Sequence, residues 1–250
     1  VTTIHHPVTS DLDIALAAAK NWRERAFIKR WHSFINMQKK VAQKLKHVVT
    51  VSECSQQDIS SAFDMQPEKI HLVHCGIDTD DFQPMADVEK VPQRLMATVS
   101  ADHPLKGARY LIEAMAKLRP EFPKLNLLMV GQPKPDGQAE RLIHKLDLQD
   151  NIQFVSGIST EQLARHYNEA EVAVVPSVYE GFGLPAGEAM ACGTPLVSTN
   201  GGALPEVVGD AGVQVPVKDS DAIAEAVAGF STDVIPDYQM AAFLIRAQEL

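Results

Sequence analysis

Two glutamates, Glu180 and Glu188, stand eight positions apart around the turn Gly181-Phe-Gly-Leu-Pro-Ala-Gly187. A carboxylate accepts hydrogen bonds from hydroxyl groups, and a charged acceptor binds more strongly than a neutral one. Glycine lets the backbone approach a ligand closely. Pro185 fits the first position of a helix and Gly193 fits the position just past its end. The open N–H groups at such a helix start attract anions, phosphates above all. A few loop residues plus one helical turn put the two carboxylates roughly 10–15 Å apart. A sugar nucleotide has hydroxyl-rich rings at both ends of a diphosphate, so one glutamate on the ribose and one on the donor sugar is a coherent pairing. The competing reading is a surface turn with two solvated glutamates.

Glu180 to Glu188, with Gly-Phe-Gly-Leu-Pro between them, resembles the E-x7-E motif of retaining GT-B glycosyltransferases. This is the large group of glycosyltransferase family 4 and glycosyl transferases group 1. The resemblance implies that Glu180 lies by the donor hexose and Glu188 binds the ribose hydroxyls. It gives the diphosphate to the N–H groups of Gly183 and Leu184, with Gly181 and Phe182 in the same donor-binding turn. Gly201-Gly-Ala-Leu-Pro-Glu-Val-Val-Gly209 is similar to the family segment after the next strand. Lys106-Gly107 matches a family Lys-Gly whose lysine reaches the diphosphate as a compact charge. The family's arginine six residues earlier is Ser100 here, which removes one charge from the leaving-group site; His103 or Arg109 are candidates to compensate. His5, with His6 as the competing assignment, matches a histidine that faces the donor sugar from a strand end. The base is expected against backbone groups near Gly131 and Gly157. The implied activity moves a hexose from a nucleoside-diphosphate sugar to an acceptor hydroxyl with retention of configuration. The acceptor could be a saccharide, a lipid or a small molecule. No cofactor and no metal are implied. His5, Glu180 and Lys106 form the expected catalytic set.

The elements that must position these residues alternate. Strands are expected at 1–4, 47–51, 69–73, 94–99, 125–130, 152–155, 172–175, 195–198 and 213–215. Helices are expected at 11–20, 24–46, 55–63 with Ser55 as cap, 107–119, 138–146, 160–169, 185–192 and 220–228, with Glu206 in a turn. Alternating strands and helices imply an α/β fold with parallel sheets covered on both faces, and ligands outside the carboxyl ends of the strands. The 172–175 strand feeds directly into the glutamate turn. By resemblance the plan is GT-B, two Rossmann-like units with the first incomplete. Residues 1–84 form a partial acceptor-side domain, 85–93 a linker and 94–250 the nucleotide-sugar domain. The chain reads as N-terminally incomplete, and the run from Phe230 to Tyr238 does not resemble the family's closing helices.

Composition narrows the field. Half of the 14 glycines, seven, fall between Gly181 and Gly209, which concentrates close backbone approach in one region. No apolar run reaches the length of a membrane span, and no leader precedes the first strand. Cys54, Cys75 and Cys192 are odd in number and lack C-x-x-C spacing, which fits a reducing cytosol. The net charge of −9 hides an asymmetry, since residues 20–47 carry nine Lys/Arg against one Glu. Phe27, Trp31, Phe34, Val41 and Leu45 mark a stripe expected to pack into the first domain. The alternative is that segment 20–46 rests on anionic lipid at the cytoplasmic membrane face. Few aromatics and no nucleic-acid motif argue against DNA or RNA. Asp11-Leu-Asp13 and Asp78-Thr-Asp80 imitate a D-x-D metal motif but arise readily by chance in an acidic chain. Gly181 to Ala186 also satisfies the G-x-G-x-x-A dinucleotide pattern, so an NAD-binding oxidoreductase is an alternative enzyme. A nucleotide-sugar-binding fragment without transfer activity and an epimerase of the same fold are the others.

Overall fold

The computed structural model describes residues 1–232 together with Arg246 and Ala247. Two sheets carry the chain, and every strand pair in them is parallel. The smaller sheet has the order β1-β2-β3, with β1 at Thr2–Thr3, β2 at Val48–Thr50 and β3 at Ile70–Leu72. The larger has six strands: β4 (Arg94–Thr98), β5 (Asn126–Val130), β6 (Ile152–Val155), β7 (Val172–Val175), β8 (Leu196–Thr199) and β9 (Val213–Val215). Their spatial order is β6-β5-β4-β7-β8-β9. From β4 the chain steps outward in one direction through β5 and β6. It then returns to β7 and steps outward in the other. The order therefore reverses between β4 and β7, where an open parallel sheet forms its ligand crevice.

Helices cover both faces. α5 (Ala108–Leu118), α6 (Gln138–Lys145) and α10 (Ser220–Thr232) share one core with the sheet, through Leu111, Ile112, Met115, Ile143, Ile223 and Val227. α7 (Thr160–Glu169), α8 (Leu184–Ala191) and α9 (Leu204–Val208) form the other, through Ala164, Tyr167, Met190, Leu204 and Val207. β7 and β8 are buried along their whole length, as their unbroken small and β-branched runs require. Each fully buried Leu, Ile or Met contributes about 1.5–3 kcal/mol by leaving water. Between the strands of the smaller sheet run α1 (Thr9–Ala18), α2 (Trp22–Trp31), α3 (Ile35–Ala42) and α4 (Glu53–Phe63), and α3 and α4 pack on the sheet through Ala42, Ile59 and Phe63. Val51, just past β2, and Phe82 belong to the core under α7, α8 and α9, so the two sheets share buried side chains.

Three expectations are corrected. The single helix over 24–46 is broken by a 3₁₀ turn at His32–Phe34, where the His32 ring bonds the Ile28 carbonyl at 2.8 Å. A 3₁₀ turn holds three residues rather than 3.6, so it rotates the buried face. Ile35, Ala42 and Leu45 now pack against the β1–β3 sheet. Phe27, Trp31 and Val41 do not pack inward; they are 67, 68 and 50% exposed, and Trp22 joins them at 72%. Ser55 is not the cap of α4. Ser52 is, its hydroxyl accepting the Ser55 N–H at 3.0 Å. Glu206 lies in the short helix α9 rather than a turn, because Pro205 supplies a pre-set φ in its first turn. Most of the run from Phe230 to Tyr238 lies outside the described residues.

Candidate functional site

The crevice between β4 and β7 gathers the residues singled out above. After β4 the chain forms a 3₁₀ turn, Pro104–Lys106, then Gly107 in the left-handed region at φ 65°, then α5. A Cβ on Gly107 would lie 1.8 Å from the Pro176 carbonyl oxygen, so glycine is needed for this close passage. The Val178 N–H closes the contact by donating to the Leu105 carbonyl at 2.7 Å. The two strand ends are thereby locked together, and the Lys106 ammonium meets Glu180 Oε1 at 2.7 Å. Ser177 donates to the same oxygen at 2.7 Å. Glu180 is 9% exposed, yet its Oε2 has no partner among the described residues. The loop after β8 holds the glutamate backbone: the Ala203 N–H donates to the Glu180 carbonyl at 2.9 Å. The Thr199 hydroxyl donates to the Ser177 carbonyl.

Three residues on, Gly183 is the N-cap of α8 at φ 110°, with Pro185 in the first turn. A Cβ on Gly183 would lie 2.7 Å from Leu204 Cδ2. The N–H groups of Gly183 and Leu184 donate to no acceptor among the described residues. Open donors at a helix start, with a lysine ammonium beside the preceding loop, are the kind of arrangement that attracts an anion. Glu188 stands one turn into α8. Its Oε2 accepts the Tyr167 hydroxyl at 3.1 Å, and the Tyr167 oxygen is 3.0 Å from Thr98 Oγ1 at the end of β4. Burial pushes the Glu188 carboxyl above its ordinary value, and the Tyr167 bond opposes that rise. Tyr167 is itself driven far up by burial.

The remaining candidates fall as follows. Ser100 is exposed just beyond β4, and Gly131 and Gly157 follow β5 and β6, so all three lie at carboxyl ends of the sheet. The Gly131 N–H donates to the Val155 carbonyl at 2.8 Å, and Gly157 has open space on its Cβ side. Arg109 pairs with Glu113 at 2.8 Å, whereas the His103 imidazole feels Lys106, Lys134, Asp11 and Glu180 and is held below its ordinary value chiefly by lost hydration. His5 is exposed. His6 is the neighbour whose side chain reaches the glutamate turn: a Cβ on Gly181 would lie 3.1 Å from its Nδ1, and its ring is 5.7 Å from that of Tyr179. Asp11 lies 3.5 Å from His6, and Asp78 accepts the N–H groups of Asp80 and Asp81. No cluster of three His, Cys, Asp or Glu side chains among the described residues is placed to hold a metal. No helix among them is long and apolar enough to cross a membrane. Tyr167, Ser177 and Thr98 were not read as site residues. Tyr167 was visible only as part of the apolar face of α7, and Ser177 only as a residue three before Glu180.

Comparison with known proteins identifies the family and the fold. The model of glycosyl transferases group 1 matches residues 80–242, and that of Glycosyltransferase Family 4 matches residues 1–81. A mannosyltransferase of Mycolicibacterium hassiacum, described as MMP alpha-(1->4)-mannosyltransferase, is 46% identical over 212 residues, covering 85% of this chain and 51% of that protein. A D-inositol 3-phosphate glycosyltransferase of Mycolicibacterium smegmatis is 34% identical over 185 residues, 69% of this chain and 42% of its own length. Among solved structures, sucrose-phosphate synthase from Thermosynechococcus elongatus superposes with a TM-score of 0.81 at 28% identity, covering 99% of this chain and 62% of that one. HepE from Anabaena, solved with UDP and glucose, superposes at 0.76 with 18% identity, covering 99% and 65%, and speaks for the fold alone. The chain spans about half the length of the curated relatives it matches.

Proposed function

The chain belongs to the glycosyl transferases group 1 and has the GT-B fold, and from that premise we propose that it binds a nucleoside-diphosphate sugar in the β4–β7 crevice. In the full-length protein the sugar would pass to an acceptor hydroxyl with retention of configuration. One observation carries this reading. Lys106, Glu180, Glu188 and the open N–H groups of Gly183 and Leu184 all gather at the reversal point of the sheet.

In this reading the diphosphate sits on the start of α8 with the Lys106 ammonium beside it, where charge grows as the leaving group departs. Glu188 accepts hydrogen bonds from the ribose hydroxyls. Glu180 keeps one oxygen on Lys106 and Ser177 and offers Oε2 to the donor sugar. The acceptor oxygen bonds to the anomeric carbon as the bond from that carbon to the diphosphate breaks. The bonding pair goes to the diphosphate, and a diphosphate oxygen takes the acceptor's proton. His5 or His6 would face the sugar from the first unit; the contact of His6 with the glutamate turn supports His6. Three unpaired cysteines support a reducing compartment. The nicotinamide alternative leaves the partners of Glu180 and Glu188 without a role.

A thermal-shift screen with UDP-, GDP- and ADP-sugars tests the reading. A donor at a hundred times its dissociation constant stabilises by about 2.7 kcal/mol. At about 2–4 °C per kcal/mol, the expected rise in Tm is about 5–10 °C. No shift with any of the three, in full-length protein, would refute it.

A further inference from the structure

We propose that Glu206 is a positioning residue, a clasp that holds the glutamate turn in place by capping a helix of the other unit. Its carboxylate accepts the Glu53 N–H with both oxygens at 2.9 Å, the Cys54 N–H at 3.3 Å, and faces His74 Nε2 at 3.0 Å. Glu53 and Cys54 open α4, about 150 positions away in sequence. The first N–H groups of a helix have no partner inside it, and a carboxylate there also meets the positive end of the helix dipole. Here two of those donors are satisfied by Glu206, and a third, that of Ser55, by the cap Ser52.

The same helix start grips the turn itself. The hydroxyls of Ser52 and Ser55 both donate to the Gly181 carbonyl, at 2.7 and 3.0 Å. Tyr179 adds a bond to Asp58 on α4 at 2.6 Å. Gly181 lies between Glu180 and the Gly183 N-cap. Glu206 lies three residues after Ala203, whose N–H holds the Glu180 carbonyl. α4 therefore clamps the turn at two points: directly through Gly181, and through Glu206 by way of α9. Separating the two units would leave two N–H groups of α4 without their acceptor and loosen the loop that carries the anion seat. The clasp is a statement about how the seat is assembled. It rests on the reading above only for what the seat binds.

Glu206→Ala removes the clasp, and Glu206→Gln keeps the reach but not the charge. The bonds lost are charge-assisted, so binding of UDP or GDP is expected to weaken about 10- to 100-fold in the alanine variant and less in the glutamine variant. Ser52→Ala with Ser55→Ala attacks the clamp from the other side and serves if Glu206→Ala does not fold. Hydrogen exchange on ligand-free full-length protein reads the coupling directly. Exchange should quicken together at 50–57 and at 178–185, with the rest of the larger sheet unchanged. Quickening at 50–57 alone, with nucleotide affinity unaltered, overturns the clasp and leaves Glu206 a local cap. If neither UDP nor GDP binds the unaltered protein, the donor reading fails, and the paired exchange response still decides the clasp.

Discussion

Replacing Tyr167 by Phe should separate the electrostatics of Glu188 from its packing. The ring stays, so no cavity opens; only the hydroxyl that joins Glu188 at 3.1 Å and Thr98 at 3.0 Å is lost. A hydrogen bond to a charged group contributes about 1.5–3 kcal/mol and a neutral one about 1. Thr98 is half-buried and can turn to water, so the net cost is about 2–3 kcal/mol, or a fall in Tm of about 4–12 °C for a chain of this size. The Glu188 carboxyl is already raised above its ordinary 4.5 by burial, with the Tyr167 bond pulling it down. Loss of the bond pushes it higher still. For an acid whose folded value lies above its unfolded one, the stabilising contribution is full below the unfolded value and lost as pH rises through the folded one. The stability deficit of the variant should therefore be small below pH 4.5, grow as Glu188 ionises in the unaltered protein, and reach its full size only once Glu188 is ionised in the variant as well. In the proposed reading, ribose binding needs the carboxylate. The acid limb of nucleotide affinity, followed by calorimetry across the acid and neutral range, should accordingly move to higher pH. An acid limb in the same place as in the unaltered protein would refute the role given to this bond.

Other changes test the crevice. Gly107→Ala brings a Cβ within 1.8 Å of a carbonyl at φ 65° and should cost about 3 kcal/mol or more in denaturant melts. Gly157→Ala, at φ 68° but in open space, should cost only the backbone strain of about 1–2 kcal/mol. Equal costs would contradict the close passage at Pro176. Lys106→Met leaves Glu180 with Ser177 alone and should destabilise by about 1–3 kcal/mol, while lowering kcat of the full-length enzyme about 10²- to 10³-fold. The double variant with Glu180→Gln should cost less than the two single changes together, because they share one interaction.

Much of this was legible in the sequence, for a local reason. Gly183, Pro185 and Gly193 lie within a dozen residues, and their places at a helix start and end follow from backbone geometry alone. The strand β7 was equally plain, because full burial on both faces demands an unbroken apolar run such as Val-Ala-Val-Val. What escaped depends on distance along the chain. Ser52 and Ser55 are interchangeable as caps until Gly181, over 120 positions away, claims the hydroxyl of each. Glu206 reads in sequence as an ordinary turn acid until the amides of Glu53 and Cys54 meet it. The basic aromatic stretch misled for another reason. Its three- and four-residue spacing assumed a continuous helix, and the 3₁₀ turn at His32–Phe34 shifted the inward face onto Ile35 and Ala42.

The most direct test is calorimetric titration of UDP and GDP into full-length protein, unaltered and carrying Glu188→Ala. If the second acidic side chain holds the ribose, whichever nucleotide binds should bind about tenfold or more weakly in the variant, measured at a temperature where the variant remains folded. Affinity for both nucleotides equal to that of the unaltered protein would contradict the account.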